Sequence, residues 1–182
     1  MRNYYGSDIR RFFETQQHLA QFYLVAHTNI RPATLSKKVL ELRLDRARAD
    51  LRYALNLFAG ALHPQHSNLV RRKPHIYRPL TLTTIEATDT AQVQTLTTHF
   101  NIVLGNIPQQ YRRAETLTEL FRQAWRKAGQ ADDIHIQPIT NSIGLNYYIL
   151  KEAELAKQKA FNDTSTWDVE NTFIPRAAAY AD

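Results

Sequence analysis

Thr98-His99-Phe100-Asn101-Ile102-Val103-Leu104 is an apolar run that carries two polar side chains two residues apart. In a strand, residues i and i+2 point the same way. His99 and Asn101 therefore share one face, and Phe100, Ile102 and Leu104 share the other. The run predicts a strand over 95–104. Just upstream, residues 76–87 alternate, with Ile76, Arg78, Leu80, Leu82 and Thr84 set against Tyr77, Thr81 and Thr83. This predicts a second strand, interrupted at Pro79 and closing on Glu86. Only a short polar turn around Asp89 separates the two, so they are expected to pair antiparallel.

Working outward, Phe22-Tyr23-Leu24-Val25-Ala26-His27-Thr28 is a dense run of β-formers, ended by Pro32. Between it and the central pair lies a helical stretch, about 35–62, with Val39, Leu40, Leu44, Ala47, Leu51, Leu55 and Phe58 at helical spacing. Glu41, Arg43, Asp45, Arg46 and Arg48 fill its other side, and Gly60 and Pro64 are stop signals. Residues 64–74 read as a polar, basic loop. Downstream of Pro108, residues 116–128 form a helix with Leu117, Leu120, Phe121, Ala124 and Trp125 on one face and Gly129 as its C-cap. Ile134-His135-Ile136-Gln137-Pro138 is a fourth strand. A last helix is expected over 143–161, a first one within 4–19, and a polar tail from Asp163.

The order is strand, helix, strand, strand, helix, strand. It predicts an α+β, ferredoxin-like (split βαβ) antiparallel sheet of about four to five strands with helices packed on it. At 182 residues, 1–182 reads as a single domain, with an N-terminal helix inside 1–19 and a tail over 163–182. Hydrophobic residues make up 43%, enough for a core, and no apolar run approaches membrane-spanning length. There is no cysteine, hence no disulfide or thiolate site, and no apolar signal core follows Met1. A cytoplasmic location with no membrane partner is the simplest expectation. The formal charge of +6 and pI near 9.6 favour a polyanionic partner. The cations come in small groups: Arg10-Arg11, Arg71-Arg72-Lys73, Arg112-Arg113 and Arg126-Lys127.

Two constellations carry chemistry. If the central strands pair, Glu86 approaches His99 and Asn101 across the ladder. A carboxylate, an imidazole and an amide oxygen suit Mg²⁺ or Mn²⁺. A lone His-x-Asn is more often the polar face of a half-exposed strand, so the second constellation matters. Tyr148 and Lys151 stand at i and i+3 of the last helix, on one face. Tyrosine is a weak nucleophile at its usual pKa of about 10, and a metal or lysine nearby can activate it. Tyr147 is the rival nucleophile, because adjacent helical residues point about 100° apart. His27, in the first strand, is a further candidate for the site, and His135 in the fourth strand another. No Ser-His-Asp set, phosphate-binding glycine loop or cysteine zinc cluster is present.

Taken together, these residues resemble the HUH endonucleases, the tyrosine nucleases of rolling-circle replication and conjugation. The likeness is nearest to the replication initiators of bacterial plasmids and filamentous phages. Leu24-Val25-Ala26-His27-Thr28-Asn29 stands in the place of the family's first motif. His99-Phe100-Asn101 takes that of its His-hydrophobic-His motif, and Tyr148-Ile149-Leu150-Lys151 matches its Tyr-x-x-Lys motif. Glu86 occupies the position of a frequent third ligand. The likeness spans roughly residues 20–175, and it departs from the family at Asn101, where a second histidine is usual.

The resemblance implies metal-dependent nicking of single-stranded or hairpin DNA through a phosphotyrosine at Tyr148. Lys151 would assist at the phosphate, and Glu86, His99 and Asn101 would hold the metal. No helicase motif is present, so unwinding would fall to a host helicase. The alternative is a catalytically weakened DNA-binding regulator of the same fold.

Overall fold

The computed structural model describes residue 11 and residues 14–87, 97–140 and 167–175. Four strands form one sheet: β1 (Ala20–His27), β2 (Leu80–Glu86), β3 (His99–Gly105) and β4 (Ile134–Pro138), in the order β2-β3-β1-β4. Every neighbouring pair is antiparallel. Two long helices, α1 (Lys37–Leu62) and α2 (Ala114–Lys127), connect β1 to β2 and β3 to β4. This is the split βαβ arrangement that the order of elements predicts.

The layer of helices follows from the strand period. Phe22, Leu24 and Ala26 of β1, Phe100, Ile102 and Leu104 of β3, Ile85 of β2, and Ile134 and Ile136 of β4 all point to one side. There they meet Leu44, Leu51, Ala54, Phe58 and Leu62 of α1 and Leu117, Phe121 and Trp125 of α2. Phe58 packs edge-on to Phe121 at 5.5 Å between ring centroids, and Trp125 stacks on Phe121 at 6.1 Å. Asp50 of α1 is tied by its own Arg46 at 3.0 Å and by Gln130 at 2.8 Å, which fixes the end of α2 against α1. Gly129 adopts φ +81° just past α2, the left-handed cap conformation that glycine takes without a Cβ clash.

Three boundaries differ from the sequence reading. Ile76 and Tyr77 belong to a single helical turn, Pro74–Tyr77, and β2 starts at Leu80. Pro74 presets helical φ at the first position, whereas Arg78, preceding Pro79, is forced extended (φ −93°, ψ 139°). The alternation in 76–79 is therefore fortuitous. β3 starts at His99, with Thr97 and Thr98 outside it, against the expected strand from 95, whereas α1 ends at Leu62 as expected, with Gly60 in its last turn. The basic stretch 64–74 is not plain loop, since it holds a 3₁₀ turn, Pro64–His66, and a helical turn, Leu69–Arg72. The expected helix over 143–161, with Tyr147, Tyr148 and Lys151, lies outside the described residues, as does most of the N-terminal stretch 1–19. Residues 14–16 of that stretch are helical and lead into a 3₁₀ turn, Gln17–Leu19.

The other side of the sheet carries no helix among the described residues. Tyr23, Leu80, Leu82 and Val103 form a second, smaller apolar group there, contacted by Leu19, Ala20, Val25, Ile139 and Trp167. Residues 167–175 line the free edge of β2, with bridges Thr81↔Phe173 and Thr84↔Trp167. These cover an edge whose backbone would otherwise be open to pairing with another chain.

Candidate functional site

The register of three strands builds the site. Glu86 of β2 sits opposite His99 of β3, and His99 sits opposite His27 of β1. One row across the helix-free side is therefore Glu86, His99, His27. The next row on that side is Thr84, Asn101, Val25, with Tyr23 one step further along β1. The three strands end together here, so the row lies at one end of the sheet.

Glu86 is only 3% exposed, which makes its partners decisive. Its Oε1 accepts from Asn101 Nδ2 at 2.7 Å, and its Oε2 lies 3.2 Å from His99 Nε2. Asn101, wholly buried, accepts from the Tyr23 hydroxyl at Oδ1. Tyr23 thereby fixes which way the amide faces, and the amide in turn aims the carboxylate. His99 Nδ1 lies 3.2 Å from the Thr97 carbonyl, and since a carbonyl only accepts, this nitrogen carries the proton. In neutral His99 the lone pair is then on Nε2, facing a carboxylate oxygen. Two acceptors at 3.2 Å call for a cation between them, either a second proton on the imidazole or a metal ion. A histidine whose far nitrogen donates to a carbonyl is also the usual arrangement around a metal-binding imidazole. The donor set thus fits a divalent cation at Glu86 and His99.

His27 closes the row. Its ring centroid is 4.9 Å from that of His99, its Nδ1 is 3.1 Å from Thr97 Oγ1, and its Nε2 is 3.9 Å from Asp133 Oδ2. Burial lowers its pKa below 6.5. Asp133 opposes this, the neighbouring His99 adds to it, and Glu86 opposes it weakly. The helix layer holds the backbone at this point, because Trp125 Nε1 donates to the His27 carbonyl at 3.0 Å. The turn beyond is secured by Thr28, whose N and Oγ1 both donate to Thr98 O (2.9 and 2.8 Å), and by Thr98 N donating to Ile30 O (2.8 Å).

Of the residues singled out from sequence, Glu86, His99 and Asn101 come together. Asn101 does so with both polar atoms of its amide engaged, its oxygen by Tyr23. His135 stands on the same side, exposed on β4, opposite Val25. Tyr148 and Lys151 lie outside the described residues. Ile139 and Trp167, the described residues on either side of that gap that pack on the sheet, both touch its helix-free side. Tyr23, Thr97 and Asp133 were not legible in the sequence. The one available signal was that Tyr23, Val25 and His27 share a strand face by their spacing. Among the described residues no three His, Asp or Glu side chains converge as a ready-made metal site. Compared with protein-family models, with curated proteins and with solved structures, the chain gives no significant match.

Proposed function

We propose that this chain is a metal-dependent endonuclease that nicks and rejoins single-stranded or hairpin DNA through Tyr148, as its resemblance to the HUH endonucleases implies, and so initiates rolling-circle replication of a plasmid or phage. The observation that carries the reading is the Glu86–His99 pair, an oxygen and a nitrogen donor 3.2 Å apart on the helix-free side of a split βαβ sheet. Glu86 and His99 would hold Mg²⁺ or Mn²⁺, with His27 beside them. A bound cation there would offset charge developing on a scissile phosphate. Asn101 and Tyr23 hold the carboxylate in place. In the proposed reaction the Tyr148 oxygen bonds to phosphorus as the bond from phosphorus to the 3′ oxygen breaks. The 5′ phosphate stays on the enzyme and a 3′ hydroxyl leaves, with Lys151 contacting the phosphate.

A second reading is favoured by one specific observation. The Asn101 oxygen that could have served as a third ligand is engaged by Tyr23. In that reading the fold binds DNA as a regulator and has lost the cut.

The test is incubation with labelled single-stranded DNA from the element that encodes this chain, with Mn²⁺, Mg²⁺ or EDTA. A covalent protein–DNA band that needs metal and disappears in Tyr148→Phe is the expected result. Salt-sensitive binding without any such band would sink the nuclease reading and leave the regulator.

A further inference from the structure

At the end of β2 remote from Glu86, two arginines, Arg52 and Arg78, line a small cleft. Arg78 precedes the strand and is half-buried. Its Nη2 donates to Asn56 Oδ1, and its guanidinium lies 5.8 Å from the centre of the Phe173 ring. Its Nε is buried and has no hydrogen-bond partner among the described residues. The cleft beside it is lined by Arg52 of α1, Thr81 of β2, and Glu170, Asn171, Thr172 and Phe173 of the C-terminal stretch. Arg71, exposed on the neighbouring helical turn, stands near enough for its charge to act on Arg78, as does that of Arg52. Both add to burial in lowering the Arg78 pKa.

This concentration of positive charge is only partly compensated. Glu170 pairs with Arg52 and offsets one guanidinium of the three. Arg72 and Lys73, both exposed, extend the charge outward from Arg71. The Arg71 and Arg52 charges act against that of Arg78, and this mutual repulsion opposes the fold. An anion would relieve it. A guanidinium fork suits phosphate oxygens, the Thr172 hydroxyl adds a polar partner, and the half-buried Phe173 ring offers a face on which an unpaired base can stack.

We propose that the Arg52–Arg78 cleft binds a phosphodiester of single-stranded DNA, gripping the substrate strand away from the Glu86–His99 pair. The inference rests on the reading of single-stranded DNA as substrate and adds where the strand is held. Phe173 bridges Thr81, five residues before Glu86 on β2. At ~3.3 Å per residue the cleft lies roughly 17 Å along the strand from the pair and on the helix side of β2, so a short oligonucleotide that reaches both passes from one side of the sheet to the other.

The test is fluorescence anisotropy with an oligothymidylate of about 15 nucleotides, in EDTA so that no cleavage intervenes. Wild type, Arg52→Ala, Arg78→Ala and, as a remote basic control, Lys127→Ala are titrated at several salt concentrations. Arg52→Ala is the primary variant because Arg52 lines the cleft and its side chain is 47% exposed, so its truncation leaves the fold intact. It is expected to weaken binding several-fold and to reduce the salt slope by about 0.7, the release from one phosphate of a single strand. Lys127→Ala is expected to match wild type. Equal affinity and slope for wild type, Arg52→Ala and Arg78→Ala would overturn the cleft while leaving nicking by Tyr148 untouched. Loss of binding in Arg52→Ala together with no Tyr148 adduct would uphold the cleft and sink the nuclease. No oligonucleotide binding by wild type would overturn both.

Discussion

Phe100, Ile102 and Leu104 of β3 face the helices, while His99 and Asn101, one residue out of phase, face the opposite way. On the helix side the contacts are many, apolar and interchangeable in kind. On the other side a chain of polar contacts runs Tyr23, Asn101, Glu86, His99. The first side derives its strength from area and packing, the second its shape from hydrogen-bond direction. Substitutions should therefore separate cleanly. Those on the helix side cost stability and take function down with it. Those on the polar side cost function out of proportion to stability.

The largest effect is expected from Phe121→Ala. Phe121 is fully buried between Phe58 and Trp125, and its truncation should cost about 3–5 kcal/mol. A domain of this kind has only ~5–15 kcal/mol in total. Urea denaturation should show a much lower midpoint, with any DNA cleavage lost in proportion to the unfolded fraction. Glu86→Gln breaks the symmetry of the comparison. The new amide keeps an oxygen for Asn101 and offers an N–H to the His99 lone pair, so the unfolding free energy should hold within ~1 kcal/mol. Removal of the anionic donor should nevertheless lower metal-dependent cleavage by about 100-fold or more, at or beyond the range seen for outer-shell partners. If Glu86→Gln unfolds the chain instead, the polar row is structural and the two sides do not differ in this way.

Asn101 sharpens the same comparison. Asn101→Ala removes the amide that accepts from the Tyr23 hydroxyl and donates to one Glu86 oxygen in a buried place. It should cost about 1–3 kcal/mol and weaken metal affinity or cleavage by ~10–100-fold. Asn101→His would complete the His-hydrophobic-His pattern of the family the sequence resembles. The physical expectation is still a loss, because the larger ring enters a site with no exposed surface and displaces both bonds of the amide. Metal affinity by isothermal titration, beside urea midpoints, distinguishes the outcomes. A gain in affinity would mean that Asn101 is a vacant ligand position and not a support for Glu86.

Much of this architecture is legible in the amino-acid order alone. The alternation of β3, the helical stripes of α1 and α2 and the short link between β2 and β3 determine the order of elements, and that order leads to the split βαβ sheet. The approach of Glu86 to His99 follows from the same pairing. The rest is not legible for identifiable reasons. Which side chain of β1 meets His99 depends on the β1–β3 register, and the chain between them supplies no tight turn to set it. By strand face alone Val25 and His27 are equally available, and the ladder puts His27 opposite His99. The role of Asn101 depends on the Tyr23 hydroxyl, 78 positions away. At 76–79 the alternating pattern misleads because Pro74 and Pro79 govern the backbone there more strongly than hydropathy does.

The smallest effect, and the finest test of the two sides, is in pH. Burial and the adjacent His99 lower the His27 pKa, and burial and the adjacent His66 lower that of His63, near the start of the loop after α1. A histidine whose folded value is lowered resists a proton that the unfolded chain accepts. Above about pH 6.5 neither state is protonated at these sites and their contribution is flat. As the pH falls below that value the unfolded chain binds more protons than the folded one, so stability declines until the folded value is reached. Urea midpoints taken in EDTA between neutral and mildly acidic pH should therefore fall with acidification. In His27→Gln the decline should be shallower but not absent, because His63 still contributes with the same sign. An unchanged slope in His27→Gln would mean that His27 takes its proton as readily in the folded row as in the open chain. The polar side would then admit charge freely at its rim, and the contrast with the helix side would be confined to Glu86 and Asn101.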